Sequence, residues 1–133
     1  MNYMLDSNAI TLLLDNRHRS ERLRFNAALD SAAVSAVVLF ELRYGLAKSQ
    51  SRAVNERELD EFLSSGIEIV PFTEQDAQTA GTLRATLEAS GQLIGAYNIL
   101  IAAQALRVGA TLVTTDSDFA RVDGLKIEDW SKP

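Results

Sequence analysis

Short apolar runs recur along this chain, and between them lie longer segments whose apolar residues return at helical spacing. The short runs are Asn2 to Leu5, Ala32-Ala33-Val34, Ile67-Glu68-Ile69-Val70, Thr111-Leu112-Val113-Thr114 and Leu125 to Ile127, all read as strands. The segments read as helices are Asn8 to Leu14, Arg17 to Leu29, Ala36 toward Ala47, Ala53 to Leu63, the run from Thr73 to about Ser90, and Ala96 to Arg107. Strands and helices that alternate this regularly predict an α/β fold, a small central parallel sheet flanked by helices on both faces. Local chemistry supports the boundaries. Ser35 is placed to cap a helix, and Thr73-Glu74-Gln75-Asp76 forms a capping box with Asp in the last position. Gly66 and Gly109 follow helix ends, and Gly91 and Gly95 bracket a turn. Asp118 to Val122 reads as a short helical turn.

With 133 residues, 47% of them hydrophobic, the chain suits one domain over 1–133 with a true core. The absence of cysteine excludes disulfides and thiolate zinc sites, and a single histidine, His18, excludes a histidine-rich metal site. No apolar run reaches the roughly 20 residues that span a bilayer, and the N-terminus lacks the pattern of a signal peptide. The expected location is cytoplasmic, with no membrane contact. A net charge of −5 argues against a broad electrostatic grip on nucleic acid. It suits an acidic pocket holding cations, or a basic partner.

Three acids fall at element ends or interrupt apolar runs. Asp6 ends the first strand, where open α/β sheets place their ligand chemistry. Its plainer role is to cap the helix that follows. Asp116 comes just after the strand Thr111-Leu112-Val113-Thr114, and Glu41 breaks the apolar segment from Val37 to Leu42. Helical spacing puts Val37 and Val38 on the flank of Glu41 and turns it toward a pocket. Glu56, Glu58, Asp60 and Glu61, by contrast, form the solvated face of an amphipathic helix. Acids gathered without histidine or cysteine suit hard cations such as Mg²⁺ or Mn²⁺, which relieve their mutual repulsion. Asn98 and Arg84 also interrupt apolar helices. For Asn98 a helix N-cap is the plainer role.

The blocks Met4-Leu5-Asp6-Ser7-Asn8, Phe40-Glu41-Leu42-Arg43-Tyr44-Gly45, Gly91-Gln92-Leu93-Ile94-Gly95, Leu112-Val113-Thr114-Thr115-Asp116 and Gly124 to Trp130 together resemble a family. In this order, over nearly the whole chain, they resemble the PIN-domain ribonucleases, and among them the VapC toxins of VapBC toxin–antitoxin systems. The resemblance implies a PIN-like fold, commonly a homodimer, and Mg²⁺- or Mn²⁺-dependent endonucleolytic cleavage of RNA, with tRNA or rRNA as the typical substrate. Carried over by position, it implies that Asp6, Glu41 and Asp116 are catalytic, metal-binding acids. Asn8 and Thr114 fall at supporting positions, and Asp118 is an auxiliary whose more ordinary role is to cap the turn at Phe119.

The departure is Asn98, which stands where the family carries a fourth aspartate. An amide oxygen still touches a cation, but it carries no formal charge and its NH₂ is a donor. Weaker metal affinity and a poorly activated water follow, so a catalytically dead PIN-like binding module is the alternative. With all acids in place the implied chemistry is metal-assisted phosphodiester hydrolysis, leaving a 5′-phosphate and a 3′-hydroxyl. Arg17, Arg19, Arg22 and Arg24, with Arg43 and Lys48, are the local cations for RNA contact, although a solvated helix face explains the arginine run equally well.

The resemblance also implies a VapB-type antitoxin whose basic arm covers the acidic site and lies along apolar grooves near the first and third helices. Operator DNA would be bound only through that antitoxin. A phosphotransfer enzyme with Asp6 as nucleophile is the competing enzyme class. It needs a second acid nearby, and Ser7 and Asn8 supply none.

Overall fold

The computed structural model describes residues 2–15 and 19–132, with side chains except at 19 and 20. Arg17 and His18 therefore lie outside the described residues, as does the expected start of the second helix.

Five short strands form one parallel sheet: β1 (Tyr3–Leu5), β2 (Ala32–Ser35), β3 (Glu68–Val70), β4 (Thr111–Val113) and β5 (Ile127–Glu128). Their order in the sheet is β3-β2-β1-β4-β5. β1 lies in the middle, with Leu5 opposite Val34 on one side and Val113 on the other. Every residue of β2 is buried, as are Met4, Leu5, Leu112 and Val113. A sheet covered on both faces needs such unbroken apolar strands, and parallel pairing needs the long crossovers that the helices supply.

The helices are α1 (Ser7–Leu14), α2 (Arg19–Ala28), α3 (Ala36–Ala47), α4 (Arg52–Leu63), α5 (Glu74–Ala89) and α6 (Ala96–Val108). The chain steps outward from β1 to β2 to β3, then crosses back to β4. Right-handed connections accordingly put α1 to α4 on one face and α5 and α6 on the other. No helix among the described residues is long and apolar enough to cross a membrane.

The caps expected at Ser35, Thr73 and Gly109 are formed. Ser35 accepts from the Val37 N–H at 3.0 Å, and Thr73 and Asp76 exchange both bonds of a capping box. Gly109 closes α6 at φ 71°, a left-handed conformation that a side chain would strain.

Most boundaries fall within about a residue of expectation, and three of the shifts stand out. The second helix ends at Ala28, and Leu29–Ser31 tightens into a 3-10 turn. α6 continues one residue past Arg107, to Val108. The last strand is Ile127–Glu128 rather than Leu125 to Ile127, because Leu125 closes the preceding turn on the Val122 carbonyl and packs against the core.

Candidate active site

In the sheet order β3-β2-β1-β4-β5 the connections leave β1 and β4 in opposite directions. Two diverging loops open a crevice beyond the carboxyl ends of such neighbouring strands, the place where α/β sheets bind ligands. Asp6 follows β1 directly, and Asp116 follows β4 after Thr114 and Thr115.

Asp6 has both roles weighed from sequence. Its Oδ1 accepts from the Ala9 N–H at 2.8 Å, which caps α1. Its Oδ2 accepts from the Thr114 hydroxyl. Asp6 is nonetheless 4% exposed, and burial raises its carboxyl above the ordinary range despite these bonds, with the charge of Asp116 adding to the rise. Asn8 contributes through its backbone N–H, since its side chain is exposed.

The Thr114 hydroxyl also accepts from the Asp116 N–H at 2.9 Å, so one buried oxygen joins the two loops. Asp116 Oδ1 accepts from the Asp118 N–H at 2.9 Å and caps the 3-10 turn Ser117–Arg121. This corrects the expected role of Asp118: the cap is Asp116, and Asp118 faces Arg121 at 3.8 Å. Phe119, wholly buried, anchors that turn in the core.

Glu41 reaches the crevice from the second turn of α3. It is half-buried, and its Oε1 is buried with no hydrogen-bond donor among the described residues. Burial first, and then the charge of Asp6, raise its carboxyl above the ordinary range. An acceptor kept dry with no donor is an uncompensated cost in the free chain, and a cation or a proton would relieve it.

Asn98 is not an N-cap. Gly95 holds that position, and Asn98 is the third residue of α6. Its Nδ2 donates to Asp116 Oδ2 at 3.1 Å, a bond an aspartate here could not make without a proton. Asn98 therefore quiets the repulsion that a fourth acid would bring. Among the described residues, no three Asp, Glu, His or Cys side chains stand close enough to enclose a metal ion. The donors do fit a hard divalent cation in kind: all are oxygens, Asp6 feels the charge of Asp116, Glu41 feels that of Asp6, and one Glu41 oxygen lacks a donor.

The basic residues are mostly engaged. Arg22 Nε donates to the Leu13 carbonyl at 3.0 Å, and Arg24 Nη1 donates to the Asp129 carbonyl at 3.3 Å. Arg43 pairs with Asp60 at 3.0 Å, and Arg84 with Glu88 at 3.7 Å. Arg17 lies outside the described residues. Lys48 sits over the Tyr44 ring, 4.6 Å from its centroid.

Sequence reasoning missed the aromatic rim. Phe40, Tyr44 and Tyr97 are 51%, 58% and 48% exposed, and all three line one groove of about 840 Å³ with Glu41. A signal was available: Phe40 immediately precedes Glu41, and Tyr97 immediately precedes Asn98.

Against known families, residues 3–125 match the model described as PIN domain. A curated relative, Ribonuclease VapC2 of Rickettsia felis, is 39% identical over 99% of this chain and 100% of its own length. The tRNA(fMet)-specific endonuclease VapC of Shigella flexneri is 35% identical over 98% of this chain and 99% of its own length. Among solved structures, VapBC2 from Rickettsia felis bound to a DNA fragment from its promoter superposes with a TM-score of 0.91 at 35% identity, covering 98% of this chain and 99% of that one.

Proposed function

This chain belongs to the PIN-domain family, and we propose that it is the toxin of a VapBC-type pair, a Mg²⁺- or Mn²⁺-dependent endoribonuclease weakened by Asn98. The observation that carries the proposal is the tie at the sheet's switch point. There a single Thr114 hydroxyl holds Asp6 and Asp116 together, while the charge of Asp6 reaches Glu41. Acids crowded this way are tolerable where a cation is to be held.

Asp6, Glu41 and Asp116 would hold the ion, with the Asn98 oxygen at its edge. When bound, the ion supplies charge for the developing phosphate oxyanion and lowers the pKa of a water. The chain's own residues do the rest. The α1 cap and the Thr114 hydroxyl fix Asp6, so its carboxylate needs no reorganisation when substrate arrives. Asp116 is oriented by the Asp118 N–H and by Asn98. Glu41 brings a buried oxygen that has no hydrogen-bond donor among the described residues, an acceptor left for the ion or its water. Its half-buried position limits competing solvent.

The relatives' names support an RNA substrate, in one case tRNA, and the VapBC complexes, some bound to DNA, support a VapB-type antitoxin; rRNA as an alternative substrate and operator binding through the antitoxin are further parts of the proposal. Cytoplasmic action as a homodimer belongs to the same proposal and rests on the family resemblance. The groove that runs beside α1 and α3, past Glu41 and Glu58, suits a basic antitoxin arm.

One observation favours the second reading, a PIN-like binding module without catalysis: the Asn98 amide already occupies an oxygen of Asp116. The test compares this chain with Asn98→Asp for manganese-dependent RNA cleavage and for growth arrest on induction. A supporting amide-to-acid change should raise cleavage on the order of 10- to 100-fold. If both proteins bind metal and neither cleaves, the nuclease mechanism is wrong and the binding module stands.

A further inference from the structure

Three half-exposed aromatic rings around one groove are unusual for a chain that buries most of its large apolar side chains. Phe40 projects from α3 and Tyr97 from α6, and their rings meet edge to face with centroids 5.5 Å apart. An edge-on pair leaves ring faces free. One turn further along α3, Tyr44 carries the Lys48 ammonium over its ring. The same groove contains Glu41, and Tyr97 immediately precedes Asn98, whose amide bonds Asp116, so the rings lie beside the acids.

We propose that Phe40, Tyr44 and Tyr97, with Lys48, form a stacking platform for unpaired RNA bases flanking the phosphodiester at the acidic centre. Unpaired bases offer free π-faces, whereas bases within a duplex spend theirs on one another. Stacking needs no net positive charge, which suits a chain of net charge −5 whose arginines are largely engaged elsewhere. Lys48 supplies a cation for the backbone at the outer end of the groove. Acids and rings thus divide the work: Glu41 serves the phosphate and its cation, and the rings serve the bases. Single-stranded or looped RNA is selected over duplex at this surface. The inference rests on the nuclease reading for its choice of RNA.

The experiment is fluorescence anisotropy with a labelled unstructured RNA 12-mer and the matching duplex, in EDTA so that nothing is cleaved. The single strand should bind at least tenfold more tightly than the duplex. Phe40→Ala and Tyr97→Ala should each weaken it roughly tenfold, within the range known for base–aromatic stacking. Phe40→Tyr should retain binding, whereas Phe40→Leu, which keeps apolar bulk without a π-face, should not. Leu23→Ala, at an exposed apolar site away from the groove, should change nothing.

Equal binding of duplex, or full binding by Phe40→Leu, overturns the platform. So does a loss of binding that tracks dimer dissociation in sedimentation, which would make this face a contact between copies. Because no cleavage is involved, the two readings fail separately. Ring-dependent binding with an inert Asn98→Asp overturns the nuclease alone. Cleavage by Asn98→Asp with binding indifferent to the rings overturns the platform alone.

Discussion

The Thr114 side chain is small, buried and used twice. Its hydroxyl donates to Asp6 and accepts from the Asp116 backbone, so it sets the spacing of two like charges. Thr114→Val keeps the shape and removes the oxygen. It leaves an Asp6 oxygen and an Asp116 N–H short of partners, which should cost about 1–3 kcal/mol in urea denaturation. Calorimetry should also show manganese affinity reduced on the order of tenfold, with Thr114→Ser near the parent. Unchanged affinity in the valine variant would show that the hydroxyl is structural only. At this scale the sequence was legible in part. Asp6 could be placed at a strand end from its neighbours alone, and its capping role was the plainer alternative. The direction of the Asn98 amide could not be read, since its partner comes from a loop beyond the next strand.

Among the elements, the α5–α6 pair shows what local pattern reveals and what it hides. The capping box at Thr73 was plain in the sequence. The further use of its aspartate was not: Asp76 is wholly buried and pairs with Arg107 on α6, which also donates from Nη2 to Asp76 Oδ2 at 3.2 Å. Burial by itself would raise the Asp76 carboxyl, but the bonds from Arg107 and Thr73 outweigh it and hold the group below the ordinary range. A carboxyl lowered in the fold stabilises it fully above the unfolded value near pH 4, and that contribution is lost as pH falls through the lower folded value. Asp76→Asn should therefore cost about 3 kcal/mol at neutral pH. The gap in urea midpoints should narrow as pH falls from about 5 toward about 2. A gap constant with pH would mean that the charge on Asp76 contributes nothing. Gln104 of α6 adds a second tie, donating to the Val70 and Pro71 carbonyls at 3.0 Å each. Neither tie has a local signature, because both join residues far apart in the chain. The last strand was misplaced for a different reason: Ile127 and Glu128 are both exposed, so no alternation of burial marks them.

For the whole molecule, alternating strands and helices foretold a parallel sheet but not the order of its strands. Which strands become neighbours depends on the direction in which each crossover returns, and no single segment encodes that. The order matters because it brings β1 beside β4, and with them Asp6 beside Thr114 and Asp116. The helix layers then bring Glu41 from one face and Asn98 from the other to the same edge. Chain-wide resemblance to VapC toxins picked out these residues before any geometry was known, but it carried nothing about the Asn98–Asp116 bond or the exposed rings. The proposed function requires Asp6, Glu41 and Asp116 to close on one divalent cation, since among the described residues no three acids already stand close enough to enclose it. The most direct measurement is a manganese titration, followed by electron paramagnetic resonance, of the parent chain and of Asp6→Asn, Glu41→Gln, Asp116→Asn and Asp118→Asn. One saturable site is expected in the parent, lost or weakened by at least tenfold in each of the first three variants and kept in Asp118→Asn. No saturable site in the parent, or one indifferent to Asp6, Glu41 and Asp116, would contradict a metal centre at this edge.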